Sequence, residues 1–359
     1  MLRRRFLASA AAGAVALAAR PAFATGGLDD TIPSPAPSPT SQSGGQLVRV
    51  LLGRGQATPI DETSFTFGTR SYRGTFATAA DGGIVNTVPL EEYLYSVVPM
   101  ESPHTWPEQT LQAQAIVART FALSRSNPNR AYDVVASERD QAYGGLHGEF
   151  AESTAAVRAT AGKVLRFHGA LATVSYMSCC GGHTEDPADA WQGGVNLPYL
   201  RGVECTYCTA SPDYHWLREI PLSSLATAFP AQLSGVGQLR DVQVAQADGS
   251  GRARSIRFTG SSGSAEVSGA DFRRLLGASV VRSLLIHSIR VNSSAGASGA
   301  GALEPAAGDP AQAAATIIIE GQGRGHGVGL CQWGSRGLAS QGHSARDILT
   351  YYFPGIELQ

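Results

Sequence analysis

One acidic residue lies at a break between two predicted helices. Glu101 is followed by Ser102 and Pro103, and proline disfavours helical geometry at the residue before it, which places Glu101 at a helix junction. The neighbouring Met100 and Trp106 would partly exclude water from its carboxyl group. Desolvation raises the pKa of a carboxylic acid and makes it a usable general acid near neutral pH. Glu101 is therefore the candidate catalytic residue, and a solvated surface glutamate is the alternative.

Cysteines and a histidine form a second candidate site. Cys180 and His183 precede Cys205 and Cys208, which gives a Cys-x2-His and a Cys-x2-Cys pair of the kind that binds zinc. A disulfide bond, above all Cys180 with Cys208, is the alternative in an oxidising compartment and is slightly favoured. We therefore expect no required cofactor, with zinc as the alternative. His183 alone is more simply a hydrogen-bonding residue of a substrate site.

A glycine-alternating segment is the third candidate. Glycine occupies positions 321, 323, 325, 327 and 329, and Gln332 and Trp333 follow. In an extended strand this pattern removes the side chains from one face, so that another backbone or a flat ligand can approach. Because a tryptophan ring can stack on a sugar, we interpret the segment as one wall of a saccharide cleft, and a tight strand crossing in the core is the alternative. The candidate substrate-binding residues here are Arg324, His326, Gln332 and Trp333.

Composition excludes several classes of protein. The 28 basic and 29 acidic residues give a formal charge of −1, so no excess of cations is available to bind nucleic acid. The hydrophobic content of 43% is sufficient for a core and argues against charge-rich disorder. The 42 glycines and 19 prolines do not suit a coiled coil. The length fits about two domains, or one domain with insertions.

The first 24 residues are predicted to be a signal peptide that is removed. Three arginines at positions 3–5 precede a short apolar run and an Ala-Phe-Ala cleavage signal. The Arg-Arg-Arg-Phe-Leu start favours twin-arginine export over the Sec route. Residues 25–46 are rich in proline, serine and glycine and are predicted to be a linker. No later segment is apolar enough to span a membrane, so we expect an exported protein of the periplasm or cell wall.

The remaining chain, 47–359, mixes predicted strands and helices in an order that indicates an α+β fold. Residues 293–315 are predicted to be a disordered insertion, and 218–292 a strand-rich subdomain. Tyr93, Leu94, Val97 and Val98 have helical spacing. Thr105-Trp106-Pro107-Glu108 has the pattern of a capping box at the start of the next helix.

Three stretches, in this order, resemble the SpoIID/LytB family, named for stage II sporulation protein D and an amidase enhancer. They are residues 88–123 (VPLEEYLYSVVPMESPHTWPEQTLQAQAIVARTFAL), 176–216 and 321–358. The family's catalytic glutamate lies in a Glu-Met-Pro motif, which here reads Glu101-Ser102-Pro103. The resemblance implies a periplasmic or cell-wall protein that acts on peptidoglycan. Some members bind zinc near the site through cysteine and histidine.

The resemblance also implies an activity, that of a lytic transglycosylase which cleaves glycan strands stripped of their stem peptides. A glycosidase that uses water needs two carboxylates beside the bond, whereas intramolecular transfer to a 1,6-anhydro end can proceed with one, here Glu101. The partners would be peptidoglycan glycan strands and an N-acetylmuramoyl-alanine amidase. Two alternatives stay open: a non-catalytic peptidoglycan-binding enhancer of such an amidase, and a zinc-dependent hydrolase built on the cysteine and histidine cluster.

Overall fold

The structure is a computed structural model that describes residues 45–292 and 315–359. The predicted signal peptide and nearly all of the predicted linker and insertion lie outside the described residues. Those three assignments, and the domain boundaries drawn from them, stay predictions.

Short strands and helices follow one another along the described chain. The strands are β1 Leu47–Arg54, β2 Ala57–Pro59, β3 Ser64–Phe67, β4 Arg70–Arg73, β5 Thr75–Thr78, β6 Gly83–Pro89, β7 Val134–Val135, β8 Leu165–Phe167, β9 Ala170–Leu171, β10 Tyr176–Met177, β11 His215–Pro221, β12 Leu239–Ala247, β13 Ala253–Gly260, β14 Ser264–Ser268, β15 Ile286–Asn292, β16 Thr316–Gln322, β17 Leu330–Cys331 and β18 Glu357–Leu358. The helices are α1 Leu90–Glu101, α2 Glu108–Arg125, α3 Ala151–Ala159, α4 Pro187–Ala190, α5 Leu222–Ala228, α6 Pro230–Leu233, α7 Gly269–Leu276, α8 Gln332–Ser340 and α9 Ala345–Tyr352. The mixture confirms the predicted α+β class.

The strands form several small sheets rather than one large one. The four-stranded sheet has the order β5-β6-β1-β7, in which β1 pairs antiparallel with β6 and parallel with β7. Three-stranded sheets have the orders β2-β3-β4, β11-β16-β15, β12-β13-β14 and β18-β8-β9. A short parallel pair, β10 with β17, joins the middle of the chain to its last part.

Two helices of the N-terminal half form the centre of the first hydrophobic core. In α1 the apolar side chains recur at helical spacing, and Tyr93, Leu94 and Val97 are fully buried. In α2 the buried stripe contains several alanines, whose small side chains permit close approach. α2 accordingly packs against α1 and α3, and also against α8 and α9 from the end of the chain. This packing brings two distant segments together at the C-terminal end of α1.

A second hydrophobic core lies in the strand-rich region. Trp216, Phe229, Phe258 and Phe272 are buried there together with Ile317 and Ile319 of β16. The helix α7 belongs to the same region, and at its start the Ser268 hydroxyl accepts a hydrogen bond from the Asp271 amide.

One local prediction is wrong. The helix α2 begins after Pro107, and no side chain caps its first amides, so Thr105 and Glu108 do not form the expected capping box. Proline at the N-cap supplies the turn into the helix instead, with φ −52°.

Candidate active site around Glu101

Glu101 is the last residue of α1, as the sequence predicted from the proline that follows. Ser102 follows as the C-cap residue, and its backbone is extended at φ −132°. Proline at 103 disfavours any continuation of the helix through Ser102. The Ser102 side chain is fully buried, so the chain turns inward here and carries the Glu101 carboxyl group against the core. This junction positions the candidate catalytic group.

Two hydrogen bonds hold the carboxyl group of Glu101. Its Oε1 accepts from the backbone N–H of Ala142 at 2.7 Å, and its Oε2 accepts from Nε2 of Gln332 at 3.3 Å. Gln332 is the first residue of α8 and is buried. The predicted substrate-site residue Gln332 thus contacts the predicted catalytic residue directly. Both oxygens are oriented, which fixes where a proton on this group can point.

Burial raises the pKa of Glu101 above its ordinary value of 4.5, and the hydrogen bonds from Ala142 and Gln332 counteract part of this rise. A raised pKa keeps a fraction of the carboxyl group protonated at higher pH, which a general acid requires. The structure therefore gives a physical cause for acid function at this position.

The same raised pKa makes the free energy of unfolding depend on pH. The folded protein holds this proton more tightly than the unfolded chain does, so the contribution of Glu101 is complete below pH 4.5 and is lost as pH rises through the raised pKa. We expect Glu101→Gln to gain stability relative to the wild type across that window and to show a constant difference below it. Urea denaturation at a series of pH values measures this. A difference that does not change with pH would contradict a buried, titrating Glu101.

Tyr176 is a residue of this site that the sequence analysis missed. Its hydroxyl is buried and makes no hydrogen bond to any of the described residues, yet it lies close enough to Glu101 to act on the pKa of that carboxyl group. Burial raises the pKa of the tyrosine well above its ordinary value, so the hydroxyl stays protonated. It can therefore donate to Glu101 when the acid has lost its proton. No motif marks Tyr176, because only the pairing of β10 with β17 brings it to this place.

Two tryptophan rings lie in contact at the start of α8, beside Gln332. The rings of Trp333 and Trp106 meet edge to face, with centres 5.0 Å apart. The Arg336 guanidinium lies over both, 4.9 Å from the centre of Trp333 and 5.7 Å from that of Trp106. Gln332 and Arg336 are four residues apart and thus neighbours on one face of the helix. A partly exposed tryptophan pair with a cation therefore lies next to the group that contacts Glu101.

The glycine-alternating segment has a different role from the one predicted. Residues 323–329 do not form an extended strand with one bare face, because each of their glycines has positive φ, such as 115° at Gly325 and 79° at Gly329. A Cβ atom on Gly329 would lie 2.1 Å from the carbonyl oxygen of Ser175, and one on Gly325 would lie 2.7 Å from the Cβ atom of Met177. The glycines permit close backbone packing in the core, which was the alternative interpretation, and the sugar-facing interpretation of these glycines is wrong.

The predicted binding residues His326 and Arg324 of this segment make their contacts away from Glu101. The Nδ1 atom of His326 accepts from the Val328 amide at 3.0 Å, and its ring lies against Trp191 at 5.0 Å. Burial lowers the pKa of His326 to about 4, so the ring is neutral near pH 7. Arg324 is half exposed and pairs with Asp213 at 3.7 Å. Among the described contacts of both side chains, none is with Glu101.

The cysteine cluster forms, but with one member different from the predicted zinc set. The four side chains whose Sγ atoms all lie within 4.8 Å of one another are those of Cys180, Cys205, Cys208 and Cys331. His183 is not among them, since its Nδ1 lies 2.6 Å from the carbonyl oxygen of Thr184. The expected disulfide is absent as well, because Cys180 and Cys208 are free thiols with their sulfurs 3.6 Å apart. Four thiols, rather than three and an imidazole, are the possible metal ligands.

A buried ion pair braces the turn that carries this cluster. Arg252 donates to the carbonyl oxygens of Cys180 and His183 at 2.8 and 2.9 Å, and its Nη1 lies 3.4 Å from the carboxylate of Glu185. Both charged side chains are almost fully buried. Ser250 donates a short hydrogen bond to Glu185. The strand-rich region thus fixes the loop between β10 and α4.

None of the helices in the described ranges is long and apolar enough to cross a membrane. The fold and site together define an α+β protein in which one oriented, partly buried acid contacts Gln332, next to the paired rings of Trp333 and Trp106. The family model for stage II sporulation protein matches residues 79–167, which include Glu101 and Ala142.

Relatives over most of the chain agree with this match. Stage II sporulation protein D of Bacillus amyloliquefaciens is 28% identical over 76% of this chain and 75% of its own length. An uncharacterised protein of Brachyspira hyodysenteriae is 28% identical over 77% of this chain and 68% of its own length. The amidase enhancer of Bacillus subtilis is 26% identical over 74% of this chain, which corresponds to 40% of that longer protein. These matches confirm the resemblance to the SpoIID/LytB family that the motifs predicted.

Proposed function

We propose that this protein is exported and remodels peptidoglycan as a lytic transglycosylase that cleaves glycan strands to 1,6-anhydromuramic ends. A cell-wall role is supported by the family and by the names of its relatives, sporulation protein and amidase enhancer. The finer activity rests on one observation, the partly buried Glu101 carboxyl group with its raised pKa and both oxygens hydrogen-bonded. Such a group can give up a proton and take one back without moving.

The reaction needs one carboxyl group in two successive roles. Glu101 first donates its proton to the glycosidic oxygen as the bond from that oxygen to C1 of the muramic acid breaks. The carboxylate that remains then accepts the proton of the C6 hydroxyl as O6 attacks C1 of the same sugar. The ring closes to the 1,6-anhydro product, Glu101 regains its proton, and no water is consumed. Gln332, Ala142 and the hydroxyl of Tyr176 stabilise the carboxylate between the two steps.

The wall of α8 supports recognition of a saccharide. Trp333 offers a partly exposed ring for stacking, and Arg336 has no carboxylate partner among the described ion pairs. A muramic acid that has lost its stem peptide carries a free carboxylate on its lactyl group, which a guanidinium can bind. The Arg336 guanidinium therefore favours stripped strands as the substrate. Digestion of stripped and peptide-bearing strands side by side tests this preference, and faster cleavage of peptide-bearing strands would contradict it.

Loss of the Trp333 ring is expected to weaken glycan binding. Trp333→Ala removes one stacking face and should cost about 1–3 kcal/mol of binding free energy with little change in stability, since the side chain is only partly buried. Trp333→Phe keeps an aromatic face and is the control. Calorimetric titration with glycan fragments, together with thermal melts, measures both effects. A large loss of stability with unchanged binding would make Trp333 a core residue and place the wall elsewhere.

The amidase enhancer among the relatives favours a second candidate function, a non-catalytic peptidoglycan-binding protein that stimulates an amidase. This function uses the aromatic wall and has no need of a titrating Glu101. The two candidate functions can be distinguished by adding the protein to glycan strands without any amidase. An enhancer alone releases no products from these strands. If Glu101→Gln stimulates an amidase as well as the wild type does and neither cleaves glycan alone, the second function is correct.

A further inference from the structure

The four clustered cysteines converge from three separate segments of the chain. Cys180 follows β10, Cys205 precedes a short 3-10 helix at Thr206–Cys208 that ends with Cys208, and Cys331 ends β17. All four side chains are completely buried. Four thiol groups from distant parts of the chain therefore meet at one buried position.

The spacing of the sulfur atoms fits a tetrahedral metal ion. Zinc binds thiolates at about 2.3 Å, which sets the edges of a tetrahedron at about 3.8 Å. The sulfurs of Cys180 and Cys208 are 3.6 Å apart, and all four lie within 4.8 Å of one another. A disulfide requires about 2.05 Å. The arrangement is therefore that of ligands around one ion rather than of bonded pairs.

Polar groups around the sulfurs suit negatively charged ligands. The amides of Cys180 and Gly334 each donate to Sγ of Cys331 at 3.3 Å. The hydroxyl of Tyr352 lies 3.1 Å from Sγ of Cys205. By accepting from the Gly334 amide, the Cys331 side chain caps the N-terminus of α8. Hydrogen bonds of this kind orient and stabilise metal-bound sulfur.

We propose that Cys180, Cys205, Cys208 and Cys331 bind one zinc ion as a closed structural site. Four protein ligands fill a tetrahedral shell and leave no position for water or substrate, so the ion does not take part in the chemistry. It joins the loop after β10, the 3-10 helix and the start of α8. Because Gln332 follows Cys331 directly and contacts Glu101, the ion holds one wall of the acid site in place.

The test uses the full chain, isolated without oxygen and without added reductant, and the metal alone. We expect one zinc per chain by elemental analysis. After removal by a chelator, Co²⁺ should bind and give the thiolate-to-cobalt absorption and tetrahedral d–d bands of an all-sulfur site. The ion should also raise the midpoint of thermal unfolding. Absence of zinc together with failure of Co²⁺ to give these bands would overturn the proposal, as would two disulfides found by mass spectrometry in the protein as isolated.

A neighbouring cysteine provides a matched control. Cys179 is as deeply buried as Cys180 but is not one of the four. Cys331→Ser is expected to weaken metal binding on the order of 100-fold or more, whereas Cys179→Ser should leave both the stoichiometry and the cobalt spectrum unchanged. Loss of metal on replacement of Cys179, or its full retention on replacement of Cys331, would overturn the ligand assignment. The cobalt spectrum of the wild type still decides the matter if Cys331→Ser does not fold.

Discussion

Glu101→Gln should lower turnover on stripped glycan strands by ~10²–10⁴-fold while the protein remains folded. Glutamine keeps the size of the side chain and can still bond to Ala142 and Gln332. It has no titrating proton, so it can neither protonate the glycosidic oxygen nor accept the proton of the C6 hydroxyl. Release of soluble fragments from stripped strands measures the effect, and circular dichroism with a thermal melt verifies the fold.

Glu138→Gln is the control for this prediction. Glu138 is an exposed carboxylate whose charge slightly raises the pKa of Glu101. Hydrolysis would require a second carboxylate to activate water, whereas intramolecular transfer does not. We therefore expect turnover of this variant to stay near the wild-type value. Substantial cleavage by Glu101→Gln would refute the assignment of the acid, and an equally large loss in Glu138→Gln would favour a hydrolase.

The largest expected loss of stability follows from the buried ion pair. Arg252→Ala leaves the Glu185 carboxylate buried without its partner and the carbonyl oxygens of Cys180 and His183 without a donor. Removal of one member of such a pair costs about 3–5 kcal/mol of the free energy of unfolding. Denaturant unfolding at neutral pH measures this cost.

A neighbouring arginine distinguishes burial from charge alone. Arg254 pairs with Asp189 through side chains that are 51% and 31% exposed, and exposed pairs contribute about 0–1 kcal/mol. Arg254→Ala should therefore change the unfolding free energy little. Equal losses for the two arginine variants would show that the buried pair does not brace the loop, and that its apparent role is a general effect of lost positive charge.

The position of Glu101 could be predicted because its determinants are local. The apolar spacing of α1 marks the helix, and proline at 103 marks its end within two residues of the acid. The hydrogen bonds to Ala142 and Gln332 could not be derived in this way, because they depend on packing between segments far apart in the chain. Gln332 was selected from its motif as a sugar-binding residue, and its contact with the acid emerged only from the fold.

The errors have physical causes of the same kind. A run of alternating glycines fits both a strand with one bare face and a backbone with positive φ, and side-chain spacing does not distinguish them. The metal set was predicted from neighbouring cysteines and His183, whereas Cys331 reaches the cluster from the end of the chain through the parallel pairing of β10 with β17. Tyr176 reaches Glu101 by the same pairing.

The most direct test of the proposed activity is mass spectrometry of the products formed from stripped glycan strands in water enriched in oxygen-18. Intramolecular transfer predicts muramic ends that are lighter by one water than a reducing end and that contain no oxygen-18, and Glu101→Gln should form them ~10²–10⁴-fold more slowly. Reducing ends that carry oxygen-18 would contradict the account, because they would show that water rather than the C6 hydroxyl attacks the sugar.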